Sequence, residues 1–186
     1  MLNWMERFST REVRPNWPCE VKISEWQAAW LQRQLDAAKL GKVSWMSRLM
    51  QEVIPFNRPH RLTVEFLSDD CCQVALPFRR RNRNHVGSMH ACAMATAAEY
   101  ASGLCVLSAF GVGEVRLVMA NLQIQFSRRA HGNCVAKAQL PGHVLRDVRM
   151  KLKQQGRCAF DLRSVVRDAQ GEEVAEAQIT WHLKAL

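Results

Sequence analysis

A chain of 186 residues, 48% hydrophobic and 23% charged, has room for one well-buried core, and its composition is not that of a disordered or fibrous protein. Its cysteines are odd in number, Cys71 and Cys72 are adjacent, and no C-x-x-C pair occurs. This argues against a disulfide framework or structural zinc and for a reducing compartment, the cytoplasm. A net charge of +9 suits nucleic acid, anionic lipid, a phosphate-bearing ligand or a merely diffuse basic surface, and selects none of them.

Met1 to Arg11 carries Glu6, Arg7 and Arg11 and no continuous apolar stretch, so no secretory signal is expected, and Pro15 and Pro18 continue an irregular lead-in. Ser24-Glu25-Trp26-Gln27 fits a capping box. The helix it starts has Trp26, Trp30 and Leu31 on one side, and Gly41 stops it. A second helix begins near Ser44, with Met46, Leu49, Met50 and Val53 at helical spacing, and ends at Pro55. Five of the six tryptophans lie in the first 45 residues. They read as residues that dock these helices onto the domain, or alternatively as an amphipathic membrane or partner anchor. Residues 1–45 are thus a helical extension, and 46–186 the main domain.

From His60 the period becomes two. Leu62, Val64 and Phe66 alternate with polar neighbours, and Cys72, Val74 and Leu76 do so after an Asp69-Asp70 turn, which makes a hairpin. A basic stretch follows, then an apolar helix from about Ser88 to Phe110, closed by Gly111 and Gly113. At roughly 20 residues it is long enough to span a bilayer, but its small residues and Glu99 favour a buried helix of a soluble core, and no membrane span is expected. Val115, Leu117 and Met119 alternate next, then Leu122, Ile124 and Phe126, and a further strand covers Asn133 to Leu140. His143 to Gln155 reads as a short helix with Leu145, Val148 and Leu152 inward. Cys158–Arg167 and Glu173–Leu183 read as final strands, the last presenting Ala177, Ile179, Trp181 and Leu183 to one side. A helix apolar all round must be covered on most sides. The fold class is therefore α+β, an antiparallel sheet curled around one long central helix, with a second copy of the chain able to cover the rest.

Chemistry concentrates at the start of that helix. Glu99 lies in an apolar stretch where an unpaired carboxylate is costly, and burial would raise its pKa toward that of a general base. A paired structural acid is an equal reading. The free N–H groups near Gly87 to Ala91 favour negative charge and could stabilise an oxyanion. Gly87 permits a tight turn, and Asn84 and His90 add polar side chains. Ser102 either shares the site or fills space, with space-filling favoured, and Cys92 and Cys105 read as packing.

The pattern N-x-x-G-x-x-H at Asn84, Gly87 and His90, with an acid nine residues later at Glu99, resembles the hot-dog thioesterases of the phenylacetic-acid-pathway type. Arg79 to Gly87 and Ala98 to Gly103 resemble a less characterised branch of the same superfamily. Phe126 to Gly132 is similar to its strand-turn segment, and Val165 to Trp181 to its closing hairpin, so the likeness runs roughly from Met46 to Leu183. The resemblance implies a hot-dog fold and an acyl-CoA or acyl-carrier thioesterase, working as a homodimer or dimer of dimers with the site between subunits. It implies that Glu99 activates water or attacks the thioester carbonyl, that a backbone N–H near Ala91 polarises that carbonyl, and that Asn84 and His90 position water or thioester. His90-Ala91-Cys92 replaces the usual His-Gly-Gly, which narrows the approach to the helix end, and glutamate replaces the frequent aspartate. A non-catalytic acyl-binding module on the same fold is the alternative.

Arg79, Arg81 and Arg83, with Arg128 and Arg129 on a later turn, are candidate ligands for the phosphates of coenzyme A, or else part of a solvated charge run. Coenzyme A enters as part of the substrate, and no cofactor is expected. Nucleic acid is disfavoured because the basic run lacks interleaved aromatics. His85 and His90 lack a third ligand at metal spacing, so no metal site is expected.

Overall fold

The computed structural model describes residues 24–186, so the lead-in and the tryptophans at 4 and 17 lie outside the described residues. The elements are α1 (Glu25–Lys39), α2 (Val43–Val53), a 3-10 helix (Pro55–His60), β1 (Thr63–Leu67), β2 (Cys71–Leu76), a 3-10 turn (Arg80–Asn82), α3 (Ala91–Phe110), β3 (Val115–Phe126), β4 (Cys134–Gln139), α4 (Gly142–Gln155), β5 (Arg157–Asp168) and β6 (Glu173–Ala185).

The strands form one antiparallel sheet in the order β1-β2-β4-β5-β6-β3. Helix α3 packs against β2, β4 and β5, and the sheet wraps it, which is the hot-dog arrangement the resemblance implies. From Ala97 to Val106 almost every residue of α3 is buried, so its lack of an apolar face reflects burial on nearly every side. Ala177, Ile179, Trp181 and Leu183 of β6 all point into this core, as their alternation requires. Helix α3 is long and apolar enough to cross a membrane, and its burial makes it the core helix of the sheet.

Two bulges correct the strand readings. In β1 the register shifts between Val64 and Phe66, so Leu67 is buried and Phe66 turns outward, against the simple alternation. In β3 the shift between Met119 and Asn121 carries the apolar set from odd to even positions. Leu117, Leu122 and Ile124 therefore pack on the same core, in one continuous strand.

The capping box holds, with the Ser24 N–H donating to Gln27 Oε1 at 3.0 Å. Leu35 and Ala38 of α1 and Met46 and Met50 of α2 reach the core, and α1 packs on α2 and β1. Trp26, at 70% exposed, does not dock its helix, whereas Trp45, 59% exposed, donates its indole N–H to Gln34 Oε1 at 2.9 Å and ties α2 to α1. Gln32 of α1 accepts the Val112 N–H at 2.8 Å and so ties α1 to the far end of α3.

Candidate active site at the start of the central helix

The segment before α3 is a loop closed on itself by Asn84. The Asn84 N–H donates to Ser88 O at 2.9 Å and the Gly87 N–H to Asn84 O at 3.2 Å. Its side-chain Oδ1 accepts the Val86 and Ser88 N–H groups at 3.2 and 3.0 Å, and its Nδ2 donates to Ser88 Oγ at 2.8 Å. Gly87 sits at φ +78°, where a side chain would be strained. Asn84 and Gly87 thus build the turn that presents the helix, and the Asn84 amide spends its hydrogen bonds there. Two further bonds pin the loop, Met89 N–H to Ala130 O and His90 N–H to Asn82 O, both 2.8 Å.

His90 is the N-cap of α3. Its Nδ1 accepts the Cys92 N–H at 3.0 Å, which in the neutral ring leaves the proton on Nε2. Its carbonyl accepts the Ala93 and Met94 N–H groups at 3.0 and 3.2 Å. Of the first helical N–H groups, only that of Ala91 has no acceptor among the described residues, and both Ala91 and Cys92 are exposed. Cys92 is therefore not core packing, whereas Cys105 is fully buried.

Glu99 lies two turns further along α3, half-buried, and its carboxylate makes no hydrogen bond or ion pair among the described residues. Burial pushes its carboxyl above the ordinary glutamate range. Gly103 keeps the space beside it open: a Cβ there would stand 3.3 Å from the Trp181 ring and 4.0 Å from Glu99 Oε1. Ser102 is neither a site residue nor filler. Its hydroxyl donates to the Glu99 carbonyl at 2.8 Å and accepts the Trp181 indole N–H at 3.1 Å.

The five arginines named above have different surroundings. Arg79 and Arg81 line a groove beside the 3-10 helix. Arg83 lies over the Phe78 ring, 5.4 Å from its centre. Arg128 pairs with Glu172 at 2.8 Å, and Arg129 is exposed on the same turn. Asn82, a position with no mark in the sequence, is fully buried. Its Nδ2 donates to the His60 and Pro77 carbonyls at 2.9 Å each, and its Oδ1 lies 3.0 Å from His60 Nδ1. An asparagine inside an arginine run gives no periodic signal of burial. Among the described residues no group of His, Cys, Asp and Glu is placed to hold a metal ion.

The fold has solved relatives. A protein of unknown function from Pseudomonas aeruginosa, described as "Probable Thioesterase", is 28% identical with a TM-score of 0.70, over 76% of this chain and 95% of that one. A protein of unknown function from Chlorobaculum tepidum is 10% identical with a TM-score of 0.67, over 86% and 97% of the two chains. A variant of a thioesterase from Staphylococcus aureus is 12% identical with a TM-score of 0.57, over 70% and 98%. No curated protein matches the sequence. The family described as a domain of unknown function, DUF4442, matches residues 43–183, nearly all of the sheet and its helix, and the chain belongs to that family.

Proposed function

We propose that this protein hydrolyses acyl thioesters, acyl-CoA or an acyl-carrier conjugate, as a homodimer or a dimer of dimers. The observation that carries this reading is the Ala91 N–H at the start of α3, without an acceptor among the described residues, on the same helix as a desolvated carboxylate that has no partner among them. Glu99 takes a proton from water as the water oxygen attacks the thioester carbon. The resulting oxyanion accepts the Ala91 N–H and lies at the positive end of the helix dipole. Collapse breaks the C–S bond, and the departing thiolate takes the proton back from the Glu99 carboxyl. The His90 Nε2–H is oriented by its capping bond and is available to the thioester.

A length supports the dimer reading. Ala91 and Glu99 are eight residues apart on one helix, about 12 Å along its axis. Within one chain a single carbonyl is too far from one of these groups to meet both, so on this reading Glu99 of one copy pairs with the Ala91 N–H of another. Two features support such a pairing. Strand β3 is an unpaired sheet edge with Met119 and Phe126 exposed, at 41% and 44%. The least covered stripe of α3 is exposed at Cys92 and half-buried at Ala95, Thr96 and Glu99.

The test is thiol release from short, long and aromatic acyl-CoAs by wild type and Glu99→Gln. Hydrolysis by wild type, lost at least roughly 100-fold in the variant, is expected. Equal rates would end the role of Glu99, and acyl-CoA bound tightly but left intact would favour a non-catalytic acyl-binding module.

A further inference from the structure

Away from the α3 stripe lies an open groove of about 670 Å³, lined by Arg58 and Arg61 from one segment and Arg79 and Arg81 from another, together with Gln51, Pro55 and Pro59. Among the described residues no acidic one lines it. Glu52 pairs with Arg58 outside the lining, whereas Arg61, Arg79 and Arg81 have no carboxylate partner among the described residues. Converging guanidinium groups repel one another, and the arrangement gains energy when an anion with several oxygens sits between them.

The walls are held in place. Arg61 is the one non-glycine residue at positive φ among the described residues, +51°, and its N–H closes a turn on Arg58 O at 3.3 Å. That left-handed residue caps the 3-10 helix and so fixes where the Arg61 side chain leaves the backbone. Buried Asn82 joins the two segments, donating to the His60 carbonyl next to Arg61 while its own neighbour Arg81 lines the groove from the other. The same Asn82 receives the His90 N–H through its carbonyl, so the groove and the start of α3 share one rigid link.

We propose that this groove binds the phosphates of the nucleotide end of coenzyme A, with Arg61, Arg79 and Arg81 as principal ligands and Arg58 as a supporting wall. The inference rests on the thioester reading above and names the carrier. The multiple phosphates of that nucleotide match several free guanidinium groups, where the single phosphate of a carrier-protein arm would occupy few of them.

Calorimetric titration with coenzyme A, 4′-phosphopantetheine and pantetheine tests this, using wild type, Arg61→Gln, Arg81→Gln and Lys153→Gln. Coenzyme A should bind wild type at least about 10-fold more tightly than pantetheine. Each arginine variant should lose about 10-fold for coenzyme A and nothing for pantetheine. Lys153→Gln removes the same unit charge from α4 and should bind as wild type does. Inorganic pyrophosphate should compete with coenzyme A in wild type. The proposal is overturned if both arginine variants keep wild-type affinity for coenzyme A, or if 4′-phosphopantetheine binds as tightly as coenzyme A. Both arginines are exposed and unpaired, so folded variants are expected, and pyrophosphate competition needs no variant at all. Phosphate-dependent binding without thiol release would sink the hydrolase and leave the groove standing. Thiol release with an unchanged KM for acyl-CoA in both variants would do the reverse.

Discussion

Trp181 of β6 donates its indole N–H to the Ser102 hydroxyl of α3 across 3.1 Å, and that hydroxyl donates in turn to the Glu99 carbonyl at 2.8 Å. The sheet is thereby hydrogen-bonded to the helical turn that carries the candidate base. Both groups are buried, so neither has water to fall back on.

Ser102→Ala leaves the indole N–H of Trp181 without its acceptor and should lower unfolding free energy by about 1–3 kcal/mol. Adding Trp181→Phe to that variant should cost less than adding it to wild type. Chemical denaturation of the four proteins gives the coupling directly. A coupling of zero would mean that the bond adds nothing to stability.

Ala91 is the first residue of α3, and the preceding His90 has φ −71° and ψ 133°, which a following proline tolerates. Ala91→Pro therefore deletes the free N–H while keeping the helix. Turnover should fall by about 10²–10³-fold with little change in melting temperature. Mixed with Glu99→Gln, it should recover activity, because a heterodimer restores one site with both groups intact. Recovery absent from a confirmed mixed assembly would overturn the pairing of Glu99 and Ala91 across two copies.

The Glu99 carboxyl is raised by burial, so the folded protein retains a proton that the unfolded chain releases. Stability then falls as pH climbs from the unfolded value through the higher folded one, and above that a constant penalty remains. Glu99→Gln should accordingly match wild type in acid and melt higher at neutral pH. The acid limb of kcat/KM should lie above the ordinary glutamate value, since a base must be deprotonated. A limb at or below that value would show that Glu99 is not the titrating base.

Asn84→Ala removes two acceptor bonds and one donor bond from the loop before α3. A stability loss of about 1–2 kcal/mol is expected, with kcat falling because Ala91 and His90 lose their placement. Loss of turnover with an unchanged melting curve would instead give the Asn84 amide a direct contact with substrate.

Most of the architecture was legible in the sequence because it is written in local periods. Period two marked the strands. A long apolar run marked the helix that the sheet must cover, and the apolar set on β6 from Ala177 to Leu183 told which way it faces. Even the bulge in β3 left a trace, in the change from odd to even apolar positions between Met119 and Leu122. Phe66 misled, because a strand that short gives too few turns of the alternation to reveal a slip.

Glu99 was recognisable from sequence alone, since one carboxylate in an apolar helix stands out wherever it occurs. Its relation to Ala91 was also implicit, because 1.5 Å per residue is a property of any α-helix. Only the tertiary structure decided what the other polar groups do. Asn84 spends its amide on its own loop, Ser102 joins Trp181 across a long stretch of sequence, and Asn82 links the 3-10 helix to the helix start. Arg58 and Arg61 line one groove with Arg79 and Arg81 only once the chain has folded back on itself. Hydrophobic burial acts along a face and leaves a periodic record, whereas a hydrogen bond or a charged wall joins two points whose separation in sequence carries no pattern.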